Sequence, residues 1–147
     1  MRIYIVDDEK VIAETLALIL SMKGHTALWF TDPLEVIRMV ESCPPDLLIS
    51  DVMMPQLSGI DLAILIRSRF PHCNILLLSA HLDHLPASCS STCPGLVLLT
   101  KPVHPDAVLV AIYSLPTAGE AATISAPFSA NLGALKSGEK EEVALQF

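Results

Sequence analysis

The sequence predicts an α/β fold: one doubly wound sheet of five parallel strands with helices on both faces. Three observations carry this. Five short apolar runs recur along the chain, and they are continuous rather than alternating, as in strands buried on both faces of a parallel sheet. Between most of them lie stretches whose apolar residues repeat at helical spacing. The alternation persists from the N-terminus to about Leu115, which implies right-handed crossovers between parallel strands.

The first strand is Ile3–Val6, and it runs straight into Asp7-Asp8-Glu9. Val11, Ile12, Leu16, Ile19 and Leu20 then recur at helical spacing, and Gly24 supplies a C-terminal stop. Thr26–Phe30 is a second, more exposed strand. Asp32 caps the next helix with Pro33 in its first turn. That helix turns Leu34, Ile37 and Val40 inward, and Pro44-Pro45 forbids its continuation. Leu47–Asp51 is the third strand. The loop Val52–Gly59 follows, with Pro55 and Gly59 read as ordinary turn residues, and leads to a helix over Ile60–Phe70. Ile75–Ser79 and Val97–Thr100 are the fourth and fifth strands. Pro105 and Asp106 open the last helix, with Val108, Ile112 and Leu115 facing inward.

Two stretches fit the pattern less well. His81–Gly95 should hold the fourth helix, yet it contains Pro86, Pro94 and the run Ser88-Cys89-Ser90-Ser91-Thr92. Serine and threonine compete with helix through local hydrogen bonds, so this fourth helix is expected to be weak: short, frayed or absent. From Pro116 the chain turns to Ala, Ser, Gly and Thr with no sustained period. Residues 1–115 are therefore read as one domain and 116–147 as a flexible tail that includes Leu145 and Phe147.

A length of 147 residues suits one domain with a sizeable core. The hydrophobic content of 52% and mean hydropathy of +0.54 are high. No apolar run, however, approaches the roughly 20 residues a membrane helix needs, so no membrane partner is expected. The segment Met1–Val6 is too short for a signal-peptide core, which makes the cytoplasm the expected compartment. Cys43, Cys73, Cys89 and Cys93 are then expected to be reduced thiols. A net charge of -7 with no basic stripe argues against direct nucleic-acid binding. His81, His84, Cys89 and Cys93 bunch together as zinc ligands do, but their spacing matches no standard zinc pattern.

In an open parallel sheet, ligands bind outside the carboxyl ends of the strands. The residues there are Asp7 and Asp8 after the first strand, Asp51 after the third, Ser79 after the fourth and Lys101 after the fifth. Three carboxylates thus converge on one crevice, with a hydroxyl and an ammonium across from them. Like charges ~4 Å apart repel by roughly 4 kcal/mol at an effective dielectric near 20, so the cluster wants a cation. Oxygen ligands with positions left for water suit Mg²⁺. A carboxylate can attack phosphorus and form an acyl phosphate. The metal and a lysine would neutralise charge on the transferring group from opposite sides. Ser79 could donate a hydrogen bond to a phosphoryl oxygen present only in the modified state.

From Met1 to about Leu115 the sequence resembles the receiver domains of two-component response regulators. The matching residues are the acidic pair in Val6-Asp7-Asp8-Glu9, the segment Asp51-Val52-Met53-Met54-Pro55 with Ser58-Gly59, then Leu78-Ser79-Ala80 and Lys101-Pro102. The resemblance implies a flavodoxin-like sheet of order 2-1-3-4-5. It implies Asp51 as phosphoacceptor, with Mg²⁺ held by Asp7, Asp8, Asp51 and the Met53 backbone carbonyl. It further implies Ser79 as the switch hydroxyl, Lys101 as the phosphoryl-binding cation and a cis Lys101-Pro102 peptide, a geometry nearly confined to bonds before proline. The implied phosphodonor is a sensor histidine kinase or a phosphotransfer protein, and the signal leaves by binding an output protein. Catalysis is then limited to the receiver's own phosphorylation and dephosphorylation.

The match departs from the family at the second switch position. Three residues before the lysine the family usually carries an aromatic side chain; here it is Leu98, and no ring can flip there to report phosphorylation. With the disrupted His81–Gly95 segment, Leu98 motivates a second reading, a binding module insensitive to phosphorylation. An aspartate-nucleophile phosphatase with external substrates fits poorly. Such enzymes place a second acid two residues after the nucleophile, and that position is Met53.

Overall fold

Five continuous apolar runs become five parallel strands, in the expected order. The computed structural model describes residues 1–80 and 96–115. Along them run β1 (Arg2–Val6), α1 (Lys10–Met22), β2 (Thr26–Phe30), α2 (Pro33–Val40), β3 (Leu47–Asp51), α3 (Gly59–Arg69), β4 (Asn74–Ser79), β5 (Val97–Thr100) and α4 (Pro105–Tyr113). The sheet order is β2-β1-β3-β4-β5. The expected weak helix in His81–Gly95, the grouped histidines and cysteines within it, and the tail 116–147 lie outside the described residues.

Strand side chains alternate between two cores. Ile3, Ile5, Leu47, Ile49, Leu76 and Leu78 pack beneath α1 and α4. Tyr4, Val6, Leu48, Ile75 and Leu77 pack beneath α2 and α3. The three central strands β1, β3 and β4 are buried almost throughout, which explains why their sequences show no polar alternation. Tyr4 is fully buried, and its hydroxyl donates to the Cys43 carbonyl at 2.5 Å. Burial also pushes the Cys73 thiol up to about 12, leaving it an inert apolar filler at neutral pH.

Helix ends behave as their residues dictate. The Asp32 side chain accepts from the Leu34 N–H, with Pro33 following. Gly24 takes a positive φ just beyond α1. Two inward faces differ from expectation. In α1 the buried residues are Ala13, Leu16, Ala17 and Leu20, whereas Val11 is 75% exposed. Alanine lets the helix lie close to the sheet, so small residues take the line of nearest approach. In α2 the phase is set by Pro33, and the buried residues are Pro33, Val36 and Val40, while Leu34 faces outward. Among the described residues no helix is long and apolar enough to cross a membrane.

Candidate functional site

The carboxyl ends of β1, β3, β4 and β5 bring the singled-out residues to one edge of the sheet. Register sets this out: Asp51 pairs with Leu78, and Ser79 with Thr100, so β4 and β5 each carry the chain one step further than β3. Asp7 and Asp51 are buried, at 1% and 5% exposure, although carboxylates are almost never buried without a partner. Their partner is Lys101. Its Nζ lies 2.6 Å from Asp7 Oδ2 and 2.8 Å from Asp51 Oδ1. The Lys101–Pro102 peptide is cis.

Backbone N–H groups hold both acids in place. Glu9 N–H donates to Asp7 Oδ1 at 3.0 Å, and Met53 N–H donates to Asp51 Oδ2 at 2.8 Å. Burial raises the Asp51 carboxyl above its usual range, Lys101 pulls it back and the Asp7 charge raises it further. For Lys101 burial disfavours the ammonium, but its bonds to Asp51 and Asp7 outweigh burial and lift it above the ordinary lysine value. The site therefore keeps its cation charged.

The other singled-out residues are placed as follows. Asp8 is exposed beside the buried pair. Ser79 is buried at the end of β4, and its carbonyl accepts the Lys101 N–H at 2.8 Å. Met53 is 73% exposed in the loop above Asp51. Leu98 pairs with Leu77 and packs, half-buried, against the α2–α3 core.

Three features of this site escape sequence reasoning. Gly59 is the first residue of α3, not a spare turn residue. A Cβ built on it would lie 1.9 Å from the Asp51 carbonyl oxygen and 2.9 Å from Ser50 Oγ. The Ser50 hydroxyl, fully buried, donates to that same carbonyl at 3.0 Å. Gln56 adopts φ 69, a left-handed conformation that costs a residue with a Cβ roughly 1–2 kcal/mol, in the loop leading away from Asp51. The glycine itself was the available signal; the close approach that requires it is a tertiary fact.

The donor set suits a hard divalent cation. One ammonium neutralises only one of the two buried carboxylates, and Asp8 adds further negative charge at the rim. Among the described residues each oxygen of Asp7 and Asp51 has one hydrogen-bond or ion-pair partner, and a carboxylate oxygen can accept more than one. Among the described residues no three Asp, Glu, His or Cys side chains form a ready-made cage. A magnesium ion tolerates that, since it commonly takes one or two carboxylates and completes its shell with water and phosphate oxygens.

Removing the shared cation should be costly. Lys101→Met leaves Asp7 and Asp51 facing each other in a buried site, and is expected to lower stability by about 3 kcal/mol. A fall in the urea midpoint at unchanged m-value would show it. A midpoint equal to that of the unsubstituted protein would mean that the two carboxylates do not depend on Lys101.

Fold and site together define a doubly wound α/β protein with a buried acidic pair, bridged by a lysine, at the carboxyl edge of its sheet. More specifically, the family model described as "Response regulator receiver domain" matches residues 3–113, and the chain belongs to that family. Receiver domains of this family are signalling phosphoacceptors and typically bind Mg²⁺. Among curated proteins the chain is similar to the response regulator MprA of Mycobacterium ulcerans (strain Agy99), with 39% identity over 80 residues, covering 54% of this chain and 34% of that protein. The chain thus spans about a third of the length of the curated relatives it matches. Among solved structures it is similar to a response regulator receiver domain protein from Clostridium thermocellum, at TM-score 0.67 and 30% identity over 76% of this chain and 90% of that one. It is also similar to the signal receiver domain of an HD domain-containing protein from Pseudomonas fluorescens Pf-5, at TM-score 0.72 and 27% identity over 78% and 92% of the two chains.

Proposed function

We propose that this receiver accepts a phosphoryl group on Asp51 from the phosphohistidine of a sensor kinase or phosphotransfer protein, and passes the signal on by binding a partner protein. The observation that carries the reading is the buried Asp7–Lys101–Asp51 arrangement, in which one ammonium reaches both carboxylates. Charge-coupled groups buried together and shifted by desolvation and by a specific partner mark a candidate functional site.

Each residue has a part in that reaction. An Asp51 carboxylate oxygen forms a bond to phosphorus as the donor's P–N bond breaks; the imidazole leaves and takes a proton from water. Met53 N–H and Lys101 fix the orientation of Asp51 beforehand, so little reorganisation is needed when the donor arrives. Lys101 then neutralises charge on a phosphoryl oxygen, and the Ser79 hydroxyl donates to another. Asp7, Asp8 and Asp51, with the Met53 carbonyl, would hold Mg²⁺, which when bound offsets negative charge on the equatorial phosphoryl oxygens. Receiver and donor would meet in the cytoplasm.

The test is chemical. Incubation with acetyl phosphate and Mg²⁺ is expected to add the mass of one phosphoryl group to the intact protein, with tandem mass spectrometry placing it on Asp51. Omitting Mg²⁺ should leave the mass unchanged. Absence of modification under both acetyl phosphate and a phosphorylated histidine-containing donor would overturn the proposal.

A further inference from the structure

The two helical layers present different surfaces to solvent. On α2 and α3 the outward positions include Glu35, Arg38, Asp61 and Arg69, and the large apolar side chains among them are less than half exposed. On α1 and α4 the outward side chains are mainly apolar and far more open: Val11 75%, Leu18 61%, Met22 78%, Val110 66% and Tyr113 69%. α4 carries one charged residue, Asp106, in its whole length.

These residues form one face. Val11, Thr15, Leu18 and Met22 follow one another at i, i+4, i+7 and i+11, opposite the buried Ala13, Leu16, Ala17 and Leu20. The stripe they make is roughly 16 Å long. α4 lies beside it and runs the same way. Where the two helices begin, Val11 and Thr15 share a groove with Val103 and Pro105; where they end, the His25 and Tyr113 rings lie 6.5 Å apart. Lys10 and Glu14 share a different side of α1, with Lys10 Nζ 5.5 Å from the centre of the Trp29 ring. The face is thus almost free of charge, in a chain whose net charge is -7. An exposed apolar face of this extent marks a surface that another element covers.

The face is complementary to its own reverse. Turned end for end, the stripe falls on itself, Val11 on Met22 and Thr15 on Leu18, as a two-fold axis requires of a contact between identical surfaces. The same reversal carries Lys23, where α1 ends, towards Asp106 of the second copy, where α4 begins. Both are exposed, so the rim charges that meet are opposite. Two chains of net charge -7 repel each other, and they do so least across the surface that carries least charge. The area is sufficient. The five open side chains offer roughly 500 Å² per copy, at about 100 Å² each. Counted on both copies, and with a rim that includes Thr15, Ala107 and Lys23, the covered surface exceeds the roughly 1,000 Å² that a specific interface needs.

We propose that two copies of this chain associate through the outer face of α1 and α4. Their α1 helices stack antiparallel about a two-fold axis, with Thr15 and Leu18 nearest the axis and Val110 and Tyr113 closing the side. The proposal does not rest on phosphorylation at Asp51.

The full chain tests it by sedimentation and amide NMR over concentrations from about 10 μM to about 1 mM. The mass is expected to rise from one chain to two, with concentration-dependent shifts centred on the amides of α1 and α4. Leu18→Glu and Val110→Glu change surface positions on separate helices, so if one variant fails to fold the other still reports. Each substitution acts twice in a symmetric pair, and each is expected to weaken association about a hundredfold. Leu34→Glu makes the same charge change on the outer side of α2 and is expected to leave association unchanged. A single-chain mass across the whole range would overturn the proposal, since the face would then have another occupant. So would a dimer that survives both Leu18→Glu and Val110→Glu, or one that Leu34→Glu weakens equally.

Discussion

Replacing Asp51 by asparagine is expected to abolish phosphorylation outright while leaving the metal-free fold at least as stable at neutral pH. The first half follows from chemistry. An amide has no anionic oxygen to attack phosphorus, and the neighbouring acid Asp7 is 1% exposed and already engaged by Lys101 and the Glu9 N–H. The second half follows from burial. The Asp51 carboxyl titrates above its ordinary value, so the folded chain holds that proton more tightly than the unfolded chain does. Stability from this group is therefore fullest below the unfolded value of 3.8 and is lost as pH rises through the folded value. Above that folded value the ionised side chain works against the fold, and asparagine removes that cost while Lys101 keeps Asp7 as a partner. Intact mass after treatment with acetyl phosphate and Mg²⁺, together with a urea melt, checks both halves. A phosphorylated Asp51→Asn protein would move the acceptor elsewhere, and a lower midpoint would mean that Asp51 supports the fold.

Gly59→Ala should bring the largest loss of stability. The added methyl would lie 1.9 Å from the Asp51 carbonyl oxygen and 2.8 Å from its carbon. Both are backbone atoms of a central strand, so neither can swing away as a long side chain could. Either α3 moves off the sheet, losing the packing of Leu62, Ala63 and Ile66, or β3 is distorted at Asp51. A cost of about 4 kcal/mol is expected, the upper range for a single substitution. Gly24→Ala is the matched control. Its φ of +86 is strained for alanine, but a Cβ there meets nothing within 4 Å, so roughly 1 kcal/mol is expected. Equal costs in the two variants would show that backbone conformation, not the contact with Asp51, decides the effect at Gly59.

The fold was legible because its strands announce themselves. Leu47–Ile49 and Ile75–Leu78 are short, apolar without interruption and bounded by polar residues, as strands covered on both sides by helices are. The places where those runs stop, at Asp51 and Ser79, mark the carboxyl edge of the sheet, so the location of the crevice could be read as well. Helix faces were less legible. Hydrophobicity favours Val11 and Leu34 as core residues, yet the helices approach the sheet through Ala13, Ala17 and Val36. Which small residue lies on the line of contact depends on interaxial distance, and a single sequence does not encode that separately. The backbone donors of Glu9 and Met53, and the contact of Gly59 with Asp51, were illegible for a related reason. They arise from loop geometry and from an approach between elements that are distant along the chain.

That contact also gives the site a stiff side and a compliant side. Behind Asp51, α3 is seated directly on the strand backbone with no slack. β1, β3 and β4 are clamped between two cores. β5 is held differently: among the described residues it pairs only with β4, and Val97, Leu98 and Leu99 are no more than half-buried. A bulky group attached to Asp51 therefore pushes against an anvil on one side and a leaf spring on the other. On the proposed phosphorylation of Asp51, displacement is expected along the path of least stiffness, towards β5.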